Sequence, residues 1–114
     1  MIRYRSEMPT EYEDQPAGGI GRMSFHTLLK PEVLEGRTGM FAVITLEPGN
    51  TVGEHLHDTD SEVFFLLEGQ GVMIEDGKRS QVSAGDIEYC PKGHSHGLEP
   101  VGDKPVVFLA LQFK

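Results

Sequence analysis

The fold of this chain is decided by residues 49–62, which read GNTVGEHLHDTDSE and carry two histidines, His55 and His57, two positions apart. Side chains at positions i and i+2 of a β-strand leave the same face, so both imidazoles are expected to point in one direction. Glu62 follows a polar turn and opens the apolar run of residues 63–67. A hairpin at this turn brings the Glu62 carboxylate beside both histidines, which predicts a metal site that lacks one further ligand.

A second segment, residues 85–96, supplies candidates for the missing ligand. It reads GDIEYCPKGHSH, with a turn at Pro91 and Gly93 followed by His94 and His96. These two histidines are again two positions apart, so alternation along a strand does not choose between them.

The two segments resemble the signature motifs of the cupin superfamily. The first matches G-x5-H-x-H-x4-E-x6-G over residues 49–69, and the second matches G-x5-P-x-G-x2-H over residues 85–96. The second family motif usually ends in H-x3-N, and this chain has Pro100 in place of that asparagine. The chain is similar to small single-domain cupins of the oxalate-decarboxylase-like type. This resemblance implies an all-β fold, a jelly-roll β-barrel in a single domain.

The resemblance also implies the ligand set, because the motif spacing selects His96 rather than His94. The metal ligands are then His55, His57, Glu62 and His96. Three imidazoles and one carboxylate suit one divalent ion per chain, namely manganese, iron, nickel or zinc. The competing interpretation is a pair of surface histidines on an edge strand and a Glu62 carboxylate in solvent. The sequence assigns no role to His26.

The rest of the chain is rich in short apolar segments that are separated by glycine and proline. Such spacing predicts a β-sandwich or barrel, and the pair Asp76-Gly77 predicts a two-residue hairpin. Residues 1–21 are polar and broken by turn residues, so we expect an N-terminal arm or loop with at most one short strand there and the barrel domain in residues 22–114. The predicted strands cover residues 23–29, 40–46, 52–57, 62–68, 72–75, 78–82, 87–90, 94–98 and 106–113.

Composition limits the classes of partner and the cellular compartment. The formal net charge of −8, from 18 acidic and 10 basic residues, argues against nucleic-acid binding. No apolar run reaches the roughly 20 residues that a membrane helix needs, and the first residues lack the apolar core of a signal peptide. The lone cysteine, Cys90, fits a reducing compartment, so we expect a soluble cytoplasmic protein.

The strand predicted over residues 62–68 is apolar on both faces. Phe64 and Leu66 share a face with Glu62, whereas Val63, Phe65 and Leu67 lie on the opposite face. A strand that is apolar on both faces is expected to be covered on both, so the outer face predicts a homodimer.

Three functions are compatible with this predicted site. The first is a metal-dependent enzyme of oxidoreductase or decarboxylase type that acts on a small carboxylate or polyol. The second is a non-catalytic module that binds a sugar or effector, which the shortage of acid–base candidates favours. Glu88 and Tyr89 lie on opposite faces of one strand, so at most one of them points inward. The third is a metal that only stabilises the fold, although structural sites are usually rich in cysteine.

Overall fold

The computed structural model describes all residues of the chain, Met1–Lys114, and contains ten β-strands and three short 3-10 turns. The strands are β1 (Glu11–Asp14), β2 (Arg22–Thr27), β3 (Thr38–Leu46), β4 (Val52–Leu56), β5 (Ser61–Glu68), β6 (Gln70–Glu75), β7 (Lys78–Ser83), β8 (Ile87–Cys90), β9 (Ser95–Pro100) and β10 (Val106–Phe113).

These strands form two antiparallel sheets, which confirms the predicted jelly-roll barrel. The larger sheet has the order β1-β2-β3-β10-β5-β8, and the smaller sheet has the order β4-β9-β6-β7. Neighbours in space are often distant in sequence, as for β4 and β9, which is how the two histidine-bearing segments become adjacent. The chain contains no helix with the length and apolar character that crossing a lipid bilayer requires.

The core lies between the two sheets and is built from alternate residues of the long strands. In β3, for example, Ala42, Ile44 and Leu46 are buried and their sequence neighbours are only partly so. Alternation of this kind places every second side chain on the inner face. The core cluster consists of Met23, Ile44, Leu46, Val52, Phe64, Leu66, Met73, Leu98, Val106, Phe108 and Ala110.

The hairpin predicted at Asp76-Gly77 joins β6 to β7. Both residues have positive φ angles, 47° for Asp76 and 83° for Gly77. Two consecutive left-handed residues fit a two-residue turn that follows the twist of the strands. Asp76 also contacts the start of β9, because its side chain accepts a hydrogen bond from the Ser95 backbone at 2.9 Å.

Residues 1–21, predicted as an arm, contain β1 and a 3-10 turn at Pro16–Gly18. β1 pairs with β2 at the edge of the larger sheet, and the turn lies against β4 of the smaller sheet. A Cβ atom at Gly53 would collide with the carbonyl oxygen of Ala17, so this close approach requires glycine. The segment thus bridges the two sheets at one end of the barrel.

Candidate metal centre

Three buried side chains converge between the sheets. The Nε2 atom of His57 lies 3.0 Å from the Nε2 atom of His96. One carboxylate oxygen of Glu62, Oε1, lies 3.0 Å from His57 Nε2 and 2.9 Å from His96 Nε2. Since all three residues are at most 5% exposed, their polar atoms face one another rather than solvent.

His55 completes this cluster on its more open side. Its Nε2 atom lies 3.9 Å from Glu62 Oε1, and its side chain is 27% exposed. One donor atom from each of His55, His57, Glu62 and His96 lies within 4.8 Å of the other three. The structure therefore brings together the four residues singled out from the sequence, in a cluster able to hold a metal ion.

Strand pairing explains why residues so distant in sequence meet. His55 on β4 and His96 on β9 are directly opposite each other across the smaller sheet. His57 lies one residue beyond β4, and its backbone NH donates to the carbonyl oxygen of His94 at 3.0 Å. Glu62 begins the inner face of β5, in the opposite sheet, so the predicted hairpin is wrong: the turn carries the chain from one sheet to the other. The cluster thus spans the gap between the sheets.

Each histidine of the cluster is oriented through its second ring nitrogen. The Nδ1 atom of His55 lies 2.8 Å from the Gly53 carbonyl oxygen, and that of His57 lies 2.8 Å from Asp60 Oδ1. The Nδ1 atom of His96 lies 2.9 Å from Glu88 Oε1. An Nδ1–H that donates to an oxygen leaves the Nε2 lone pair free, which is the arrangement that metal-binding histidines usually show.

The donor set fits a divalent transition-metal ion. Three Nε2 lone pairs and a carboxylate that point at one another repel unless a cation or a proton lies among them. With metal–ligand bonds of about 2.1 Å, neighbouring ligand atoms of an octahedral or tetrahedral ion are roughly 3.0–3.4 Å apart. The separations among His57, Glu62 and His96, from 2.9 to 3.0 Å, are close to the lower end of that interval.

The charges of the cluster are mutually dependent. Burial alone would raise the pKa of Glu62, but hydrogen bonds from His55 and His96, together with the charges of His96 and His57, lower the pKa to about 2. Burial alone would lower the pKa of His96, but its hydrogen bonds to Glu62 and Glu88 raise the pKa to about 9. Without a metal ion, a proton on His96 provides the positive charge that Glu62 and Glu88 need.

Glu88 is a residue of the site that sequence reasoning did not assign. It points inward and is 7% exposed, whereas Tyr89 on the same strand is 52% exposed. Its Oε2 atom is buried without a hydrogen-bond partner. Glu88 lies directly opposite the inward-facing Phe64 in the pairing of β8 with β5, so this register, which the sequence alone does not show, places it inside.

The other chemically reactive residues lie apart from the four-residue cluster or are inert. His94 precedes β9, its side chain is 54% exposed, and its Nδ1 atom lies 2.6 Å from Asp76 Oδ2. His26 lies on β2, away from the cluster. Cys90 is buried, and burial together with the charge of Glu88 raises the pKa of its thiol to about 12, so the thiol stays protonated.

A cavity of about 410 Å³ adjoins the cluster. His55 and Glu62 form part of its wall, together with Glu13 and Pro16 of the N-terminal arm. Phe64 lies between the cavity and His96, whose ring it stacks on at a centroid distance of 4.5 Å. A small molecule in this cavity would therefore reach the cluster on the side of His55.

The comparison with protein families agrees with this site. Residues 42–112 match the family model described as a cupin domain. The chain belongs to the cupin family. The family model spans most of the barrel strands, and it includes all four residues of the His/Glu cluster, so the sequence resemblance is confirmed.

Individual relatives of this cupin carry names connected with oxalate. It is 33% identical over 111 residues to an oxalate-binding protein of Thermotoga maritima, covering 97% of this chain and 92% of that protein. A solved structure described as a predicted oxalate decarboxylase of Thermotoga maritima has a TM-score of 0.94 at 33% identity, covering 99% of this chain and 98% of that one. The oxalate decarboxylase OxdC of Bacillus subtilis is 33% identical over 133 residues, but the match covers 95% of this chain and only 34% of that enzyme.

Proposed function

We propose that this cupin holds one divalent transition-metal ion on its His/Glu cluster and acts there on a small carboxylate or polyol, as a decarboxylase or oxygenase. The ligands are His55, His57, Glu62 and His96. The observation that carries the proposal is the convergence of these four donors beside a cavity, with each histidine oriented through its Nδ1 atom.

The donor set supports manganese, iron, nickel or zinc without choosing among them. When bound, such an ion polarises a carboxylate or carbonyl group and lowers the pKa of a bound water. The chain's own residues have separate tasks. Asp60 and Glu88 fix the tautomers of His57 and His96, and Phe64 shields His96 from water by stacking on its ring.

The names of the relatives support a small-molecule ligand. The oxalate-binding protein of Thermotoga maritima, by its name, binds a small dicarboxylate, and it aligns with nearly the whole of this chain. A carboxylate ligand suits a site whose formal charge with a divalent ion is positive, since Glu62 is the one anionic group among the four donors. A small molecule that carries a carboxylate is therefore the ligand expected here.

A non-catalytic binding module is the second candidate function. Apart from the ligands His55 and Glu62, Glu13 and Gln112 are the polar side chains with hydrogen-bonding groups that line the cavity. A decarboxylase or oxygenase usually needs a group that moves protons at the reacting atoms. Of these two side chains only Glu13 can act as an acid or base. This shortage of proton-transfer groups favours binding without turnover.

Turnover and binding assays of the metal-loaded protein with oxalate distinguish the two candidates. We expect wild-type protein loaded with manganese or iron to consume oxalate or a related small carboxylate, measured as product formed per chain. His96→Ala should abolish turnover, and His94→Ala, a change two residues away at an exposed position, should leave it intact. Saturable binding in calorimetry without any product would favour the binding module. If the protein neither binds nor turns over any small carboxylate or polyol, both candidates are contradicted.

We also propose that this cupin forms a homodimer through the outer face of its larger sheet. Phe65 and Leu67 on β5 are 37% and 43% exposed, and Ile87 and Tyr89 on the neighbouring β8 are 69% and 52% exposed. A continuous apolar face of this kind is typical of an interface between copies. Sedimentation velocity should give twice the chain mass for wild type and one chain mass for Ile87→Glu, while a monomeric wild type would contradict the dimer.

A further inference from the structure

The cavity beside the metal centre is larger and less polar than a two-carbon dicarboxylate requires. Its volume of about 410 Å³ falls within the range of pockets for drug-sized ligands, roughly 300–1,000 Å³. Oxalate has six non-hydrogen atoms, and a single water takes up about 30 Å³ of liquid volume. The cavity therefore has room for a ligand with a substantial body beyond the group that meets the metal centre.

Apolar side chains form most of the wall that such a body would contact. Met23 from β2, Met40 and Ile44 from β3, and Phe64 from β5 all line the cavity. Met23, Ile44 and Phe64 are also members of the buried core, so their positions are fixed by packing. A polar or charged group placed against this wall would lose its hydration without gaining a hydrogen bond, which is costly.

The charge of the lining disfavours a second anionic group on the ligand. No lysine or arginine lines the cavity, and Glu13, an exposed residue of β1, adds a second carboxylate to a wall that already contains Glu62. The neighbouring Arg22 does not line the cavity, and its guanidinium carbon lies over the Tyr12 ring at 4.2 Å from the centroid. A carboxylate on the body of a ligand would therefore lie near an anionic side chain and no cationic one, so it would be repelled.

The remaining polar group is a hydrogen-bond donor. The Oε1 atom of Gln112 accepts a hydrogen bond from the backbone NH of Met40 at 3.2 Å. That contact commits the amide oxygen and leaves the NH₂ group of Gln112 to donate to a ligand oxygen. One neutral donor is enough to orient an oxygen next to the metal centre, but it does not neutralise a carboxylate.

We infer that this cavity selects a monoanionic ligand, with one acidic head at the His/Glu centre and an apolar body against Met40, Ile44 and Phe64. The inference rests on the proposed function in one respect, because the head is placed at the proposed metal centre. Glu13 is then a specificity-determining residue that the N-terminal arm contributes. It acts by repelling ligands that carry a second carboxylate on the body.

Two α-keto acids with the same head test this inference. Phenylpyruvate has an apolar body, whereas 2-oxoglutarate carries a second carboxylate, and both present the same keto-acid group. Calorimetry on the metal-loaded full-length protein should show that phenylpyruvate binds at least about tenfold more tightly than 2-oxoglutarate. Glu13→Lys should reduce that preference at least about threefold. Glu11→Lys, the same change two residues along β1 at a position outside the cavity, should leave it unchanged.

Metal content measured on the same sample separates the inference from the proposed function. Protein that holds no metal but prefers phenylpyruvate would contradict the metal centre and still support the apolar cavity. Metal-loaded protein that binds the two acids equally, prefers 2-oxoglutarate or binds neither overturns the inference and leaves the metal centre standing. An equal effect of the two lysine variants would overturn the role of Glu13.

Discussion

The two H-x-H pairs of this cupin have the same spacing, but their histidines lie in different environments. His55 and His57 both turn toward Glu62. Of the second pair only His96 does so, whereas His94 is 54% exposed and lies 2.6 Å from Asp76. The cause is local, because His94 is held in a turn by the hydrogen bond of its backbone NH to the carbonyl oxygen of Pro91, before β9 begins. Alternation governs side chains within a strand and does not extend into that turn.

A carboxylate partner does not distinguish the two histidines of the second pair. His94 has Asp76 at its Nδ1 atom, and His96 has Glu88 at its Nδ1 atom. What differs is the other nitrogen, because His96 Nε2 lies 2.9 Å from Glu62 in a fully buried position. A histidine whose tautomer is fixed becomes a metal ligand only where other donors converge on its free nitrogen.

The largest expected difference between the two histidines is in metal affinity. His96→Ala removes a proposed ligand and should weaken binding more than about a hundredfold, since loss of an outer hydrogen-bond partner alone costs about 10- to 100-fold. His94→Ala should change affinity less than about twofold, because its side chain contacts none of the four donors. Competition with a chelator of known affinity measures both variants. Equal losses would contradict the distinction.

Substitution of Glu88 should lower metal affinity by less than His96→Ala does, because Glu88 acts through its contact with His96. Glu88→Gln keeps the size of the side chain and removes the negative charge next to the Nδ1 atom of His96. We therefore expect metal affinity to fall about 10- to 100-fold. Asp76→Asn makes the same chemical change at the exposed His94 and serves as the matched control. An unchanged affinity in Glu88→Gln would show that packing alone orients His96.

Sequence reasoning located nine of the ten strands, all but β1, and the four-residue cluster for identifiable reasons. Glycine and proline bound the strands, and alternation places His55 and Glu62 on inner faces, although β4 and β5 belong to different sheets and do not form a hairpin. It did not assign Glu88, because strand alternation shows that one of Glu88 and Tyr89 faces inward without showing which one. The choice depends on the register of β8 against β5, which is a contact between separate segments.

The stability of the metal-free protein should depend on pH through the buried cluster. The pKa of His96 is raised from 6.5 to about 9, so its contribution is complete below pH 6.5 and is lost as pH rises through 9. The pKa of Glu62 is lowered from 4.5 to about 2, so its contribution is present above pH 4.5 and is lost as pH falls through 2. The free energy of unfolding should therefore be highest between pH 4.5 and 6.5 and decline by about 3 kcal/mol by pH 9.

Urea denaturation of chelator-treated protein at several pH values measures this profile. The decline above pH 6.5 should disappear in His96→Gln and persist in His94→Ala, because only the former removes the buried titrating group. A decline that is the same in wild type and His96→Gln would assign the pH dependence to another group.

The smallest expected effect is that of His94→Ala on thermal stability. The contact of His94 with Asp76 is exposed on both sides, and solvent weakens such exposed polar contacts strongly. The melting temperature should therefore move by no more than about 2 °C, as differential scanning calorimetry can show. A fall of about 10 °C would mean that the exposed pair stabilises the turn before β9 more than its exposure indicates.

The central claim is that His55, His57, Glu62 and His96 together bind a metal ion, and elemental analysis of purified wild-type protein tests it most directly. We expect about one manganese, iron, nickel or zinc ion per chain, and loss of that ion from His55→Ala and from Glu62→Ala. A wild-type protein that contains no metal, and stays empty after incubation with each of the four ions, would contradict the claim.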